Sequence, residues 1–266
     1  FPMDPANEIV FGIAAGPIAN PEIKWEKQKA FDIGFDLNLF KNRIDITADY
    51  FRRRTEDLLV QPQVSGLLGV SAPGAAAPFV NAGTVENKGL EFAIGYNDRI
   101  GDNFKFKINY NITAIENNVL SVSGGNSFLT AGGFGNASVP IARMEVGHSI
   151  GYFRGYKTDG LFQTQDEIDN YATMDNTTFS PGDVKFVDIN NDGEINEDDK
   201  VEVGKPLPDL TMGLNLSFSY KKFDFGAYAF ASLGNDIVRS YERNQQLTNR
   251  TRYFLERWTG PGSTNF

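Results

Sequence analysis

Phe104-Lys105-Phe106-Lys107-Ile108-Asn109-Tyr110-Asn111-Ile112-Thr113-Ala114-Ile115 decides the fold. It sets Phe104, Phe106, Ile108, Tyr110 and Ile112 against Lys105, Lys107, Asn109, Asn111 and Thr113. Successive side chains of an extended chain point to opposite faces, so strict alternation makes a strand with one oily and one polar side. Immediately upstream, Lys88 to Arg99 carries Leu90, Phe92, Ile94 and Tyr96 on one face, and Gly101-Asp102-Asn103 joins the two as a hairpin. The pattern occurs twice more. Phe31, Ile33, Phe35, Leu37 and Leu39 alternate with Asp32, Gly34, Asp36 and Asn38, turn at Lys41-Asn42, and return through Ile44, Ile46, Ala48 and Tyr50 against Asp45, Thr47 and Asp49. Met212, Leu214, Leu216 and Phe218 oppose Gly213, Asn215, Ser217 and Ser219, with a turn at Lys221-Lys222. In the strand that follows, Phe223, Phe225, Tyr228 and Phe230 fall on both faces and assign neither.

The predicted hairpins therefore cover about 30–53, 88–115 and 210–234. Strands this long exceed the roughly 5–6 residues usual in soluble sheets and suit the roughly 9–11 that a tilted strand needs to cross a bilayer. The connections alternate as well. Short turns share one end, and the long segments 54–87, 116–209 and 235–266 share the other, the asymmetry of outer-membrane barrels. Phe40, Phe104, Tyr220 and Phe223 beside the short turns suit an interfacial girdle. The expected fold is all-β, an antiparallel transmembrane β-barrel segment with long extracellular loops. A soluble sandwich or barrel also alternates, but strand length, the Gly, Ala, Asn and Ser of the polar face, and the one-sided loops weigh against it. An open edge in lipid leaves backbone groups unsatisfied, so these strands are expected to form part of a larger barrel.

Composition removes other classes. The 266 residues include 25 Lys plus Arg against 34 Asp plus Glu, for a net charge of −9, which disfavours nucleic acid as a partner. With no cysteine and His148 as the sole histidine, disulfides, Cys or multi-His zinc sites, iron–sulfur clusters and cysteine nucleophiles are excluded. No run is long and apolar enough for a transmembrane helix, and a mean hydropathy of −0.33 is compatible with spanning strands, which show lipid only alternate residues. Phe1-Pro2-Met3-Asp4 has no signal-peptide pattern, which suggests a mature fragment or a protein that is not exported.

Asp188 to Asp199 (DINNDGEINEDD) fits a twelve-residue calcium loop. Asp188, Asn190 and Asp192 would supply side-chain oxygens and Glu194 its carbonyl. Asn196 would act directly or through water, and Asp199 would close the loop. Gly193 permits the sharp turn and Ile195 is the apolar anchor. Asp in place of Glu at the last position, and a strand-like Val184–Val187 in place of an entering helix, depart from the pattern. The alternative is a turn held by its own side-chain to backbone hydrogen bonds. Either way its role would be structural, stiffening the 116–209 segment. Thr164-Gln165-Asp166-Glu167 is a capping box that predicts a helix from Gln165 to about Ala172. Arg52-Arg53-Arg54 ends a strand where lipid phosphates or solvent could meet it. Gly132-Gly133-Phe134-Gly135 lacks the lysine and helix of a phosphate loop. His148 supports no triad, and no carboxylate pair recommends a glycosidase, so no enzymatic activity is expected.

These residues resemble the SusC/RagA-type TonB-linked outer-membrane proteins. The resemblance rests on Asn20–Lys27 (NPEIKWEK), Asp49–Arg52 (DYFR), Asn81–Glu91 (NAGTVENKGLE), Gly147–Phe153 (GHSIGYF) and Gly160–Phe162 (GLF). It continues through Pro181–Phe186 (PGDVKF), the Asp188 loop, Val203–Asp209 (VGKPLPD) and Glu256–Gly262 (ERWTGPG), in order along nearly the whole chain. It implies the later part of a 22-stranded barrel in the outer membrane of a Gram-negative bacterium. Its partners would be outer-membrane lipid, a SusD-like lipoprotein and, through an N-terminal part outside this stretch, TonB–ExbB–ExbD. The cargo implied is an oligosaccharide or peptide. No plug, TonB box or closing strands are recognisable. A siderophore-type receptor, a soluble calcium-binding β adhesion module and a surface glycan hydrolase remain as alternatives. In the importer reading Asp45, Asp49, Lys105, Lys107, Asn109 and Asn215 line the lumen or meet the plug.

Overall fold

The computed structural model describes residues 19–61, 78–123, 127–134, 139–239 and 252–265. Phe1-Pro2-Met3-Asp4, Gly135, and parts of the 54–87, 116–209 and 235–266 segments lie outside the described residues. Along the chain run β1 (Lys27–Leu39), β2 (Ile44–Glu56), β3 (Leu59–Val60), β4 (Val80–Asn81), β5 (Gly83–Ile100), β6 (Phe104–Val122) and β7 (Phe128–Phe134). There follow β8 (Val139–Glu145), β9 (Tyr152–Tyr156), β10 (Thr158–Leu161), α1 (Gln165–Asp169), β11 (Val184–Phe186), β12 (Lys200–Gly204), β13 (Leu210–Tyr220) and β14 (Phe223–Leu233).

Among the described residues, six strands form one antiparallel sheet in the order β1-β2-β5-β6-β13-β14. Its connections are the three short turns and two long excursions at the opposite end. Phe40, Lys41 and Asn42 all adopt positive φ in the first turn, Gly101 in the second and Lys221 in the third. The 94 residues between the second and third expected hairpins hold regular structure of their own. They carry a four-stranded sheet, β12-β9-β8-β7, and a small β10-β11 pair. Strands β5 and β6, 18 and 19 residues long, run past the expected 88–115 into this region.

Among the described residues, no protein layer covers the oily face of the sheet. Phe31, Ile33, Phe35 and Leu90 are 55–62% exposed, and Phe223 reaches 79%. The buried core lies at the loop end, where Ala82, Val85, Val119 and Met144 pack with Leu58, Val60, Val122, Leu129 and Ile150. A soluble sandwich would bury those rings, because leaving such side chains in water forfeits about 1.5–3 kcal/mol each. On β6 the outward row runs from Phe104 to Ala114. Ten residue steps span about 33 Å along a strand, or about 25 Å of height at the usual barrel tilt, the thickness of a barrel's apolar band. Next to the turns this face carries aromatic rows: Phe104, Tyr220 and Phe223 at one level, Phe106, Phe218 and Phe225 at the next. The Phe104 and Phe218 rings stack at 6.3 Å.

Candidate functional site

The polar face of the sheet is the first candidate surface. Register places Asp45 beside Gly95 and Asn109, then Asn215 and Tyr228, and places Asp49 beside Gly34 and Glu91. All six expected lumen residues, Asp45, Asp49, Lys105, Lys107, Asn109 and Asn215, share this face. The glycines here make room for the acids. A Cβ at Gly95 would lie 2.3 Å from a carboxylate oxygen of Asp45, and one at Gly34 would lie 1.7 Å from Asp49 Oδ1. The face left open by sequence is settled by pairing with β13. Phe223 and Phe225 point outward with Phe218 and Tyr220, whereas Tyr228 and Phe230 point inward opposite Asn215 and Gly213. These inward aromatics escaped sequence analysis. The available signal was the change of parity between Phe225 and Tyr228, with Ala227, Ala229 and Ala231 supplying small outward side chains.

The Asp188 loop is the second. Asp188 accepts from the Asn191 and Gly193 N–H groups at 2.7 and 2.9 Å, and Asp192 accepts from Glu194 N at 2.9 Å and from Asn190 Nδ2 at 2.8 Å. Asn190 Oδ1 accepts from Asp192 N and Asn196 Oδ1 from Asp198 N. Asp199, fully buried, closes the loop by accepting from Ile189 N and Asn196 N, both at 2.8 Å. The Asn196 N–H, with those of Ile189 and Asn190, holds the Asp199 carboxyl below its ordinary range against the opposing cost of burial. Gly193 sits at φ +88°, and Ile195 is 2% exposed, as an anchor should be. Ile195 N and Thr173 O close the loop onto the preceding segment at 2.6 Å. The donors suit calcium in kind and order, and each carboxylate oxygen keeps a lone pair beyond its backbone bond. Among the described residues, no three acidic or histidine side chains converge closely enough to cage an ion.

Around the loop, motifs far apart in sequence meet. Gln163 Oε1 accepts from Trp258 Nε1 at 3.2 Å and Gly262 N at 2.8 Å, while its Nε2 donates to the Leu161 and Thr264 carbonyls. The Trp258 ring lies over Gly182 (φ +99°), where a Cβ would come within 2.7 Å of it. The GLF, PGDVKF and ERWTGPG motifs thus form one platform. The expected helix is present but short. Thr164 caps it, while Glu167 reaches back to Gln163 N at 2.9 Å, not to the cap residue's own N–H. His148 is a hydrogen-bonded loop residue, 2.7 Å from Glu202 and stacked on Tyr152 at 4.3 Å. Burial, then the bond to Glu145, pushes the Tyr152 phenol up to about 12.

Comparison with known proteins identifies the architecture. The family model described as TonB dependent receptor-like, beta-barrel, matches residues 3–265. TonB-dependent receptor P3 of Formosa agariphila is 32% identical over 261 residues, covering 96% of this chain and 25% of the relative. TonB-dependent receptor SusC of Bacteroides thetaiotaomicron is 30% identical over 241 residues, covering 88% of this chain and 22% of SusC. The chain therefore spans about a quarter of the length of the curated relatives it matches. Among solved structures, the RagAB peptide transporter superposes with a TM-score of 0.60 at 18% identity, over 81% of this chain and 22% of that one. That likeness supports the fold. The chain belongs to the TonB-dependent receptor β-barrel family, a family of outer-membrane receptors and not of enzymes.

Proposed function

We propose that this chain is part of the barrel of a SusC-type importer in the outer membrane of a Gram-negative bacterium. There it would help move an oligosaccharide or peptide inward, with a SusD-like lipoprotein over its loops and TonB–ExbB–ExbD supplying energy. The carrying observation is the two-faced sheet, with exposed rings outside, acids, lysines and amides inside, and an ordered platform at one end. The relationship to SusC supports the importer, and the resemblance to the SusC/RagA type is what implies an oligosaccharide or peptide as cargo. Deleting the gene should abolish growth on one oligosaccharide or peptide source, and the full-length receptor should co-purify with a lipoprotein. Growth lost only under iron limitation would favour a siderophore receptor instead.

A calcium ion on Asp188, Asn190, Asp192, Glu194, Asn196 and Asp199 is the second part of the proposal, with a purely structural role. The order of oxygen donors and the buried Ile195 support it, while the bonds of the loop to its own backbone argue for weak binding. Calorimetry with millimolar calcium should show binding that Asp192→Asn removes. Absence of heat with the wild-type receptor would leave a self-closed loop and refute the metal.

A further inference from the structure

On the outward face, the apolar band ends abruptly at the loop side. Ile33, Tyr50, Leu90 and Ala114 form its last apolar row, the next row is Phe31, Arg52, Lys88 and Glu116, and the one beyond is Lys29, Arg54, Glu86 and Asn118. Charges therefore stand one residue pair, about 7 Å, beyond the exposed side chains of Ile33, Tyr50 and Leu90. Between them lies a concavity of about 240 Å³ lined by Lys29, Ala30, Phe31, Arg52 and Arg54.

The charge balance of this patch is uneven. Lys29 is matched by Glu56 at 2.7 Å and Lys88 by Glu116 at 3.0 Å, but Arg52 and Arg54 share one carboxylate. A single oxygen, Glu86 Oε2, takes Arg52 Nε and Nη2 at 2.8 Å each and Arg54 Nε and Nη2 at 3.3 and 3.1 Å. The Glu86 side chain is only 10% exposed, whereas those of Arg52 and Arg54 are 49% and 37% exposed. Glu86 thus fixes two guanidinium planes and leaves one surplus positive charge. The Nη1 groups make no bond among the described residues. A guanidinium fork matches phosphate geometry, and a fixed one loses little entropy on binding. The Phe31 ring, level with Arg52, offers acyl carbon a surface beside the anion.

We propose that Arg52 and Arg54, assisted by Lys29, hold a phosphate of an outer-leaflet lipid against the barrel wall, with its first acyl carbons on Phe31. The proposal rests on the membrane-facing orientation of the oily face. Arg53 supplies the internal control. It follows Arg52 in sequence but lies on the opposite, lumenal face, 3.9 Å from Asp32.

The full-length receptor, purified in detergent, would be titrated with bis-phosphorylated lipid A, with dephosphorylated lipid A of the same acyl chains, and with inorganic phosphate. The phosphorylated lipid should bind the wild type at least about tenfold more tightly than the dephosphorylated one, the scale of one charge-assisted hydrogen bond. Arg52→Gln with Arg54→Gln should lose that preference, Lys29→Gln should reduce it, and Arg53→Gln should keep it. Should the double variant misfold because Glu86 is left buried and unpaired, adding Glu86→Gln restores neutrality with the same loss expected. Equal binding of the two lipids, or an Arg53→Gln defect equal to that of the double variant, overturns the site. Displacement of the lipid by equimolar inorganic phosphate overturns the lipid as occupant. A receptor that stays dispersed without detergent would instead overturn the membrane-facing orientation, a separate failure.

Discussion

Replacing Leu214 by arginine tests the orientation of the whole sheet. Leu214 lies outward between Tyr110 and Ala229, six residues from Tyr220 at the short-turn end of β13. That separation is about 20 Å along the strand and about 15 Å of height at a barrel tilt near 40°, close to the middle of an apolar band about 25 Å tall. An arginine at the midplane of a barrel's lipid face costs about 2–4 kcal/mol. A central value of about 3 kcal/mol lowers the folding equilibrium constant by about two orders of magnitude. Asn215, the next residue, is exposed on the polar face opposite Asn109, and arginine there should cost under about 1 kcal/mol. The assay is urea titration of the full-length receptor refolded into phosphatidylcholine vesicles, followed by tryptophan fluorescence. Leu214→Arg should shift the midpoint strongly and Asn215→Arg little. Equal shifts, or a larger one for Asn215→Arg, would refute the assignment of the oily face to lipid, and with it the importer.

Three other expectations concern the loop platform. Because the Asp199 carboxyl is held below the ordinary aspartate range, its contribution to loop stability is complete above that range and is lost as pH falls through the lower folded value. Protection of the Ile189 and Asn196 amides, relative to exchange of an unstructured chain at the same pH, should therefore hold from neutral pH into the ordinary carboxylate range and fall only under more acidic conditions, and Asp199→Asn should weaken protection throughout. Gln163→Leu leaves the Trp258 and Gly262 N–H groups without their acceptor, at about 1–3 kcal/mol for each that stays buried. Trypsin should then cut at Arg252 or Arg257 faster than in the wild type, and unchanged cleavage would show that the segment is anchored elsewhere. The Tyr152 phenol should titrate near pH 12, and Glu145→Gln should lower that value by removing the carboxylate that helps burial to raise it.

Much of the candidate surface was legible because its signals are local. Alternation put Asp45, Asp49, Lys105, Lys107, Asn109 and Asn215 on one side before any partner strand was known. The spacing of Asp188, Gly193, Ile195 and Asp199 announced a loop whose closing bonds are mostly within five residues, and Thr164 announced the helix cap. The helix stopped at Asp169, short of the expected Ala172, because Asn170 turns its side chain back to the Asp166 carbonyl at 2.8 Å. The ordered sheet within 116–209 was illegible. Its strands are short, and β12 pairs with β9 from far upstream in the chain, so none repeats the long alternation that marks the barrel wall.

Sequence alone determined a sheet with one greasy and one polar face, its short turns and its long connections, because period-2 alternation is a property of the extended backbone and needs no neighbour. Tertiary structure alone decided that Tyr228 and Phe230 face inward, that Glu86 clasps Arg52 and Arg54 but not Arg53, and that Trp258 seats on Gly182 and Gln163. Each of these depends on register or on contact between residues that lie far apart along the chain. A single-residue shift of pairing would reverse every face, and only the partner strand fixes it.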